Sequence, residues 1–202
     1  MTYARREYKI RKMDADLLEQ ALELLGGLVE ERSLGYEIVV VGGSALLLLG
    51  IIHRPTKDLD VLALVRDGEY SSAQPLPGAL EEAARDVAQA LGLAADWLNG
   101  GPTAQLQDGG LPAGFRDRVE TLTYRTLVVH IASRLDHIYL KLYAAVDHHG
   151  RGKHADDLRR LSPTRQELLD AAAWVRSQDI SPAWPDMVAD TLRIFDVEND
   201  EA

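Results

Sequence analysis

Apolar and polar positions follow two different periods along this chain, and each change of period marks an element. From Asp14 onward, Leu17, Leu18, Ala21, Leu22, Leu24, Leu25 and Val29 recur three and four residues apart. That spacing predicts a helix over 14–32 with Asp14 as its N-cap, weakened or bent by Gly26-Gly27. After a turn at 33–36, the β-branched run Val39-Val40-Val41 predicts a buried strand over 37–41. Gly42-Gly43 then reads as a tight turn and Ser44 as the N-cap of a helix over 44–50, which is apolar all round and so buried. A second strand, 58–65, places Asp58 and Asp60 on one face because strand side chains alternate. Residues 66–78, rich in Gly, Ser and Pro, read as a loop. An amphipathic helix follows over 79–91, stopped by Gly92. Trp97 reads as the buried anchor of the glycine-rich passage to Gly114.

Two β-rich stretches, 120–124 and 126–131, pair in prospect and complete a sheet of about four strands. Beyond them the period is helical to the end. Helices are predicted from Ser133 to about Asp147, over 154–161, from a Thr164/Glu167 capping box to Ser177, and over 182–195, before an acidic tail. The fold class is therefore α/β: a mixed-sheet core over 1–131 and a helical C-terminal half over 132–202, packed as one compact unit.

Composition narrows the picture. At 202 residues, with 46% hydrophobic and 27% charged, the chain suits one domain with a sizeable core. No apolar run approaches the ~18 residues of a membrane span, and residues 1–12 lack the apolar stretch of a signal peptide. The chain has no cysteine, which excludes disulfides and thiolate metal sites and agrees with a cytoplasmic setting. A net charge of −10 argues against a broad nucleic-acid surface. It leaves room for a nucleotide, a local RNA contact or a basic protein partner. The cluster Arg5, Arg6, Lys9, Arg11 and Lys12 reads as a solvated terminus.

The candidate chemistry lies at 42–60. A strand turning on glycines into a helix leaves free N–H groups and a partial positive charge, which suits a phosphate. Two like-charged carboxylates on one face, Asp58 and Asp60, are costly unless a cation lies between them. Oxygen ligands suit Mg²⁺ or Mn²⁺, held by one or two carboxylates together with substrate phosphates. Competing motifs fail. Gly42-Gly43-Ser44-Ala45-Leu46 lacks the second glycine of a nucleophile elbow, no Gly-Lys-Ser/Thr follows, and no Gly-x-Gly-x-x-Gly occurs at the turn.

Gly42-Gly43-Ser44 followed by Asp58-x-Asp60 resembles the signature of the polymerase-beta-like nucleotidyltransferase superfamily. The form Arg54-x-Thr56-x-Asp58-x-Asp60 looks like the AbiEii-type branch, which includes toxins of bacterial toxin–antitoxin pairs. Lys141-Leu142, then Arg151-x-Lys153-x-x-x-Asp157-Leu158, is similar to the later motifs of that branch, although His154 stands where relatives often have an acid. The resemblance implies metal-dependent transfer of an NMP from an NTP to a hydroxyl, with Asp58 and Asp60 holding the metal. Gly42, Gly43, Ser44, Arg54, Thr56, Arg151 and Lys153 would contact the nucleotide, and Lys141 and Asp157 would complete the catalytic set. In the toxin branch the acceptor is an RNA end such as a tRNA, and a cognate antitoxin is the partner. The superfamily commonly has a third metal carboxylate on a later strand, where 126–131 offers only His130. Chemically, Asp157 could orient a lysine, complete the metal shell or accept the acceptor's proton. His148, His149 and His154 match no common zinc spacing. Two alternatives stand beside the RNA reading: a small-molecule acceptor, and a nucleotide-binding module without turnover.

Overall fold

The computed structural model describes residues 10–108 and 110–197. The basic cluster's Arg5, Arg6 and Lys9, Gly109 and the acidic tail from Glu198 lie outside the described residues. The chain runs α1 (Ala15–Glu31), β1 (Tyr36–Val41), α2 (Gly42–Leu48), β2 (Leu59–Arg66), β3 (Glu69–Ser72), α3 (Gly78–Leu91), β4 (Leu98–Asn99), α4 (Gln105–Asp108), β5 (Glu120–Tyr124), β6 (Leu127–Ile131), α5 (Arg134–Asp147), α6 (Lys153–Arg160), α7 (Arg165–Arg176) and α8 (Trp184–Ile194). This is an α/β fold around one mixed sheet. Its main path is β3-β2-β1-β6-β5, with β4 paired to β2. β1 lies antiparallel to β2 and parallel to β6, so the C-terminal ends of β1 and β6 meet the start of β2 at one edge.

Local chemistry explains the main helices. Asp14 caps α1 by accepting from the Leu17 N–H at 3.0 Å, and Leu17, Leu18, Ala21, Leu22, Leu25 and Val29 form its buried stripe. Gly26-Gly27 neither breaks nor ends α1. A Cβ on Gly26 would stand 2.1 Å from the Tyr124 carbonyl oxygen, so glycine is what lets the helix lie against the β5 backbone. Trp97 is buried and donates its indole N–H to the Ala84 carbonyl at 2.8 Å, tying the loop after α3 to that helix. Ser133 caps α5, and Thr164 with Glu167 forms a reciprocal capping box on α7.

One cluster of buried side chains runs from Leu22 of α1 through Ile38 and Val61 of the sheet to Ile138, Val175 and Leu192 of the last helices. A smaller cluster on the other sheet face joins Val39, Val41 and Leu62 to Phe115, Ala132 and Leu140. α5 therefore reaches both groups and is packed by α6, α7 and α8. Among the described residues, no helix is long and apolar enough to cross a membrane.

The sheet exceeds the four expected strands by two short ones. Residues 66–78 are not all loop: Asp67 (φ 53°) and Gly68 (φ 77°) both adopt left-handed backbone, the two-residue turn whose twist suits a hairpin, and β3 returns along β2. β4 is two residues long and runs parallel to the start of β2, setting Asn99 opposite Asp60.

Candidate active site

The glycine turn is held from three sides. Gly42 has φ +83°, and a Cβ there would fall 2.7 Å from Asp60 Oδ2, so the backbone lies directly against that carboxylate. α2 begins at Gly42, after extended Val41 with no side-chain cap. Ser44 is thus not the N-cap that the sequence suggests. It lies inside the first turn, fully buried, and its hydroxyl donates to the Asp58 carbonyl. The turn reaches its fold without a capping side chain because Gly42 N–H donates to His137 Nε2, at 3.2 Å, from α5. His137 Nδ1–H in turn donates to the Ser133 carbonyl at 2.9 Å, which fixes the neutral tautomer. Burial pulls the imidazole down to about 4, in keeping with that state.

Asp58 precedes β2 by one residue and Asp60 lies in its first turn of the pleat, opposite Val41. Thr56 Oγ1 donates to the Asp58 carbonyl at 3.2 Å and lies 3.4 Å from its carboxylate. Asn99 Nδ2 donates to Asp60 Oδ1 at 3.3 Å. Burial raises the Asp60 carboxyl above the usual carboxylate range and the Asp58 charge adds to it, against the pull of Asn99, Lys141 and Lys153. Two crowded carboxylates, one of them short of compensating charge, form an oxygen donor set that fits a hard divalent cation. Among the described residues no group of three or more His, Asp or Glu side chains gathers to hold a metal, so such an ion would take its other ligands from substrate phosphates and water.

The helical half supplies the cations. Asp157, with no exposed side-chain surface, accepts from Arg54 Nε at 3.0 Å and Nη2 at 2.7 Å, and from Lys141 Nζ at 2.8 Å. Lys141 is therefore not a snorkelling surface residue: its side chain is 7% exposed, against 35% for Arg54. Burial alone would raise the Asp157 carboxyl, but Arg54 and Lys141 outweigh it and hold it below the usual range. Lys141 is pulled down by burial in spite of Asp157, with the Arg54 and Lys153 charges adding to that. Arg54 also flanks the glycine turn, since a Cβ on Gly43 would lie 3.5 Å from both Arg54 Nη2 and Thr56 Oγ1.

The structure thus brings together Gly42, Gly43, Ser44, Arg54, Thr56, Asp58, Asp60, Lys141 and Asp157, with Lys153 close enough for its charge to act on Asp60. Arg151 is exposed and lines a cavity of about 480 Å³ with His148, His149, His154 and Lys153, so it adjoins this set through Lys153. His148 and His154 stack with centroids 5.5 Å apart, and no metal-binding group forms among these histidines. His130 is occupied by Thr121 at 3.0 Å and Glu37 at 3.2 Å. The residue beside Asp60 on a neighbouring strand is instead Asn99, an amide.

Two participants had no clear signal in the sequence. His137 sits on an apolar helix, where a lone histidine reads as core, and only the meeting of α5 with the turn reveals its role. Asn99 belongs to a two-residue strand too short to show a period.

A family model described as a nucleotidyltransferase of unknown function (DUF6036) matches residues 16–160, the stretch from α1 to the last residue of α6 that contains every residue of the site. Comparison with curated proteins and with solved structures gave no match.

Proposed function

The chain belongs to this nucleotidyltransferase family, and from that premise we propose that it transfers an NMP from an NTP to a hydroxyl acceptor with the help of Mg²⁺ or Mn²⁺. The observation that carries the reading is the closeness of Gly42 to Asp60: a glycine turn at a helix start and a crowded carboxylate pair share one wall. In the transfer, the acceptor oxygen bonds to the α-phosphorus, the bond from that phosphorus to the bridging oxygen breaks, and pyrophosphate leaves. A divalent ion, when bound, offsets the charge of the phosphates and polarises the reacting group.

The protein's own residues then have distinct tasks. Asp58 and Asp60 hold the ion, and the backbone of Gly42 and Gly43 approaches the phosphates. Arg54, beside Gly43, and Lys141 place positive charge where negative charge moves toward the leaving group. Of the three roles open to Asp157, orientation fits best. Its carboxylate is buried, saturated by two cations and held in its ionised form, which makes it a poor proton acceptor. Ser44 and Thr56 act on the Asp58 loop, because both hydroxyls are spent on it. An RNA end as acceptor, and a cognate antitoxin as partner, extend this reading on the strength of the Arg54–Asp60 and Lys141–Asp157 motifs.

The test is incubation with each α-labelled NTP, Mg²⁺ or Mn²⁺, and either pooled RNA or a panel of small-molecule alcohols. Label is expected to become covalently attached to one acceptor class as NMP, with release of pyrophosphate. Tight NTP binding with no transfer to either class would instead support a binding module.

A further inference from the structure

The two oxygens of the Asp60 carboxylate meet different neighbours. Oδ1 accepts from Asn99 Nδ2 at 3.3 Å, while Oδ2 faces the glycine turn, 2.7 Å from where a Cβ on Gly42 would stand. The orientation of the amide follows from its other end. Asn99 Oδ1 accepts from the Gly101 backbone N–H at 2.9 Å, which only an oxygen can do, so the NH₂ group is left to face Asp60. The segment that carries the amide is itself held in place. β4 sets Asn99 opposite Asp60, and a Cβ on Gly100 would stand 2.2 Å from the Ala73 carbonyl oxygen. The Ala73 N–H in turn donates to Thr103 Oγ1 at 2.9 Å.

These contacts limit how many ions the site can seat. Phosphoryl-transfer sites that use two ions hold them about 3.5–4 Å apart, and each ion needs oxygen ligands of its own. Here Asp58 and Asp60 Oδ2 serve an ion beside the glycine turn. A second ion at Asp60 would draw on Oδ1, where it would meet the Asn99 NH₂ group, a donor with no lone pair to offer a cation. The Lys141 and Lys153 charges also act on Asp60 and would repel it. No further acid is free to help. Asp157 is closed by Arg54 and Lys141, and among the described residues no group of three or more His, Asp or Glu side chains gathers.

We infer that the site takes a single divalent ion per bound nucleotide, and that Asn99 is the positioning residue that enforces this, closing Asp60 Oδ1 and turning Oδ2 toward the nucleotide. The inference rests on the nucleotidyl-transfer reading and fixes the ion count of that same site. The neutralising charge that a second ion would bring falls instead to Arg54 and Lys141, which the fold already ties together through Asp157.

The test is equilibrium dialysis of wild type, Asn99→Asp and Asn99→Ala against Mn²⁺ and each of the four α,β-methylene-NTPs, which cannot be turned over. Manganese and nucleotide are both counted on the protein side. In wild type the excess of Mn²⁺ over the outer chamber should equal the excess of nucleotide, and stay equal to it well past saturation. Asn99→Asp keeps an acceptor for the Gly101 N–H but replaces the donor by a carboxylate, so its ratio of Mn²⁺ to nucleotide should climb toward two. Asn99→Ala frees a Gly101 N–H at an exposed position, where water can meet it. Its ratio should stay at one, but it should need about tenfold more Mn²⁺ to bind the analogue, the common loss when a group that orients a metal ligand is removed. A merely structural amide would change the melting temperatures of the variants and leave both the ratio and the Mn²⁺ dependence alone, which would overturn the inference. A wild-type ratio of two would also overturn it while leaving the nucleotide reading intact. No analogue bound at any Mn²⁺ concentration would sink the nucleotide reading, and the ion count with it.

Discussion

Replacing Asp157 by Asn should be far more damaging than a one-atom change suggests. The variant keeps the volume but removes the charge facing Arg54 Nε and Nη2 and Lys141 Nζ, at 2.7–3.0 Å. Arg54 can turn to water, since about a third of its side chain is exposed; Lys141 cannot, being 7% exposed. Breaking a buried pair in this way costs roughly 3–5 kcal/mol, because one charge is left uncompensated. At about 2–4 °C per kcal/mol for a chain of this length, the melting temperature should fall by about 10 °C. The loss should also depend on pH. Burial already pulls Lys141 below its ordinary pKa, and removal of Asp157 lowers it further. The unfolded lysine then holds its proton over a wider range than the folded one, so the variant gains stability as pH rises and its deficit narrows between pH 7 and pH 10. Urea denaturation followed by circular dichroism at both pH values measures this. Adding Lys141→Met should recover most of the stability, since the stranded charge is then gone. A single variant within 0.5 kcal/mol of wild type, or a double variant no better than the single, would refute the reasoning.

Gly42→Ala combines left-handed backbone with a Cβ 2.7 Å from Asp60 Oδ2, so it should cost about 1–2 kcal/mol and displace the carboxylate, with NTP binding falling more than stability. His137, held neutral down to about 4 by burial, should make stability fall as pH drops from 6.5 toward 4, because the unfolded imidazole takes a proton first. The term amounts to about 3 kcal/mol across the window, and His154, also lowered to about 4 by burial, adds in the same direction. His137→Gln should flatten the profile of melting temperature against pH; a profile as steep as wild type would place the slope elsewhere. Lys141→Ala should lower transfer about a hundredfold, the rate equivalent of about 3 kcal/mol at the transition state, with NTP affinity less affected.

The order of elements was legible because it rests on local signals: the α1 stripe, the Val39–Val41 run, the Ser133 cap and the Thr164/Glu167 box each depend on neighbours within a turn. The hairpin at Asp67-Gly68 was missed, because the surrounding Ser and Pro residues made the whole of 66–78 read as loop. Other features come from long-range packing that no local pattern carries. Gly26 appears helix-breaking until the Tyr124 carbonyl is seen beneath it. Ser44 has the right residue type for a cap, but the Asp58 carbonyl claims its hydroxyl. The pairing of Arg54 with Asp157, 103 residues apart, needed the whole fold to close. The two motifs could be read separately in the sequence, while their junction through one buried carboxylate could not.

The account stands or falls on Asp58 and Asp60 as the seat of a divalent ion that carries the nucleotide. Titration calorimetry of NTP binding with and without Mg²⁺, on wild type and Asp60→Asn, tests this most directly. Wild type should bind NTP at least tenfold more tightly with Mg²⁺ than without. Asp60→Asn should lose that gain while melting at the same temperature or higher, since repulsion from Asp58 and the burial of charge are both relieved. An Asp60→Asn protein that binds Mg²⁺–NTP as tightly as wild type would contradict the account.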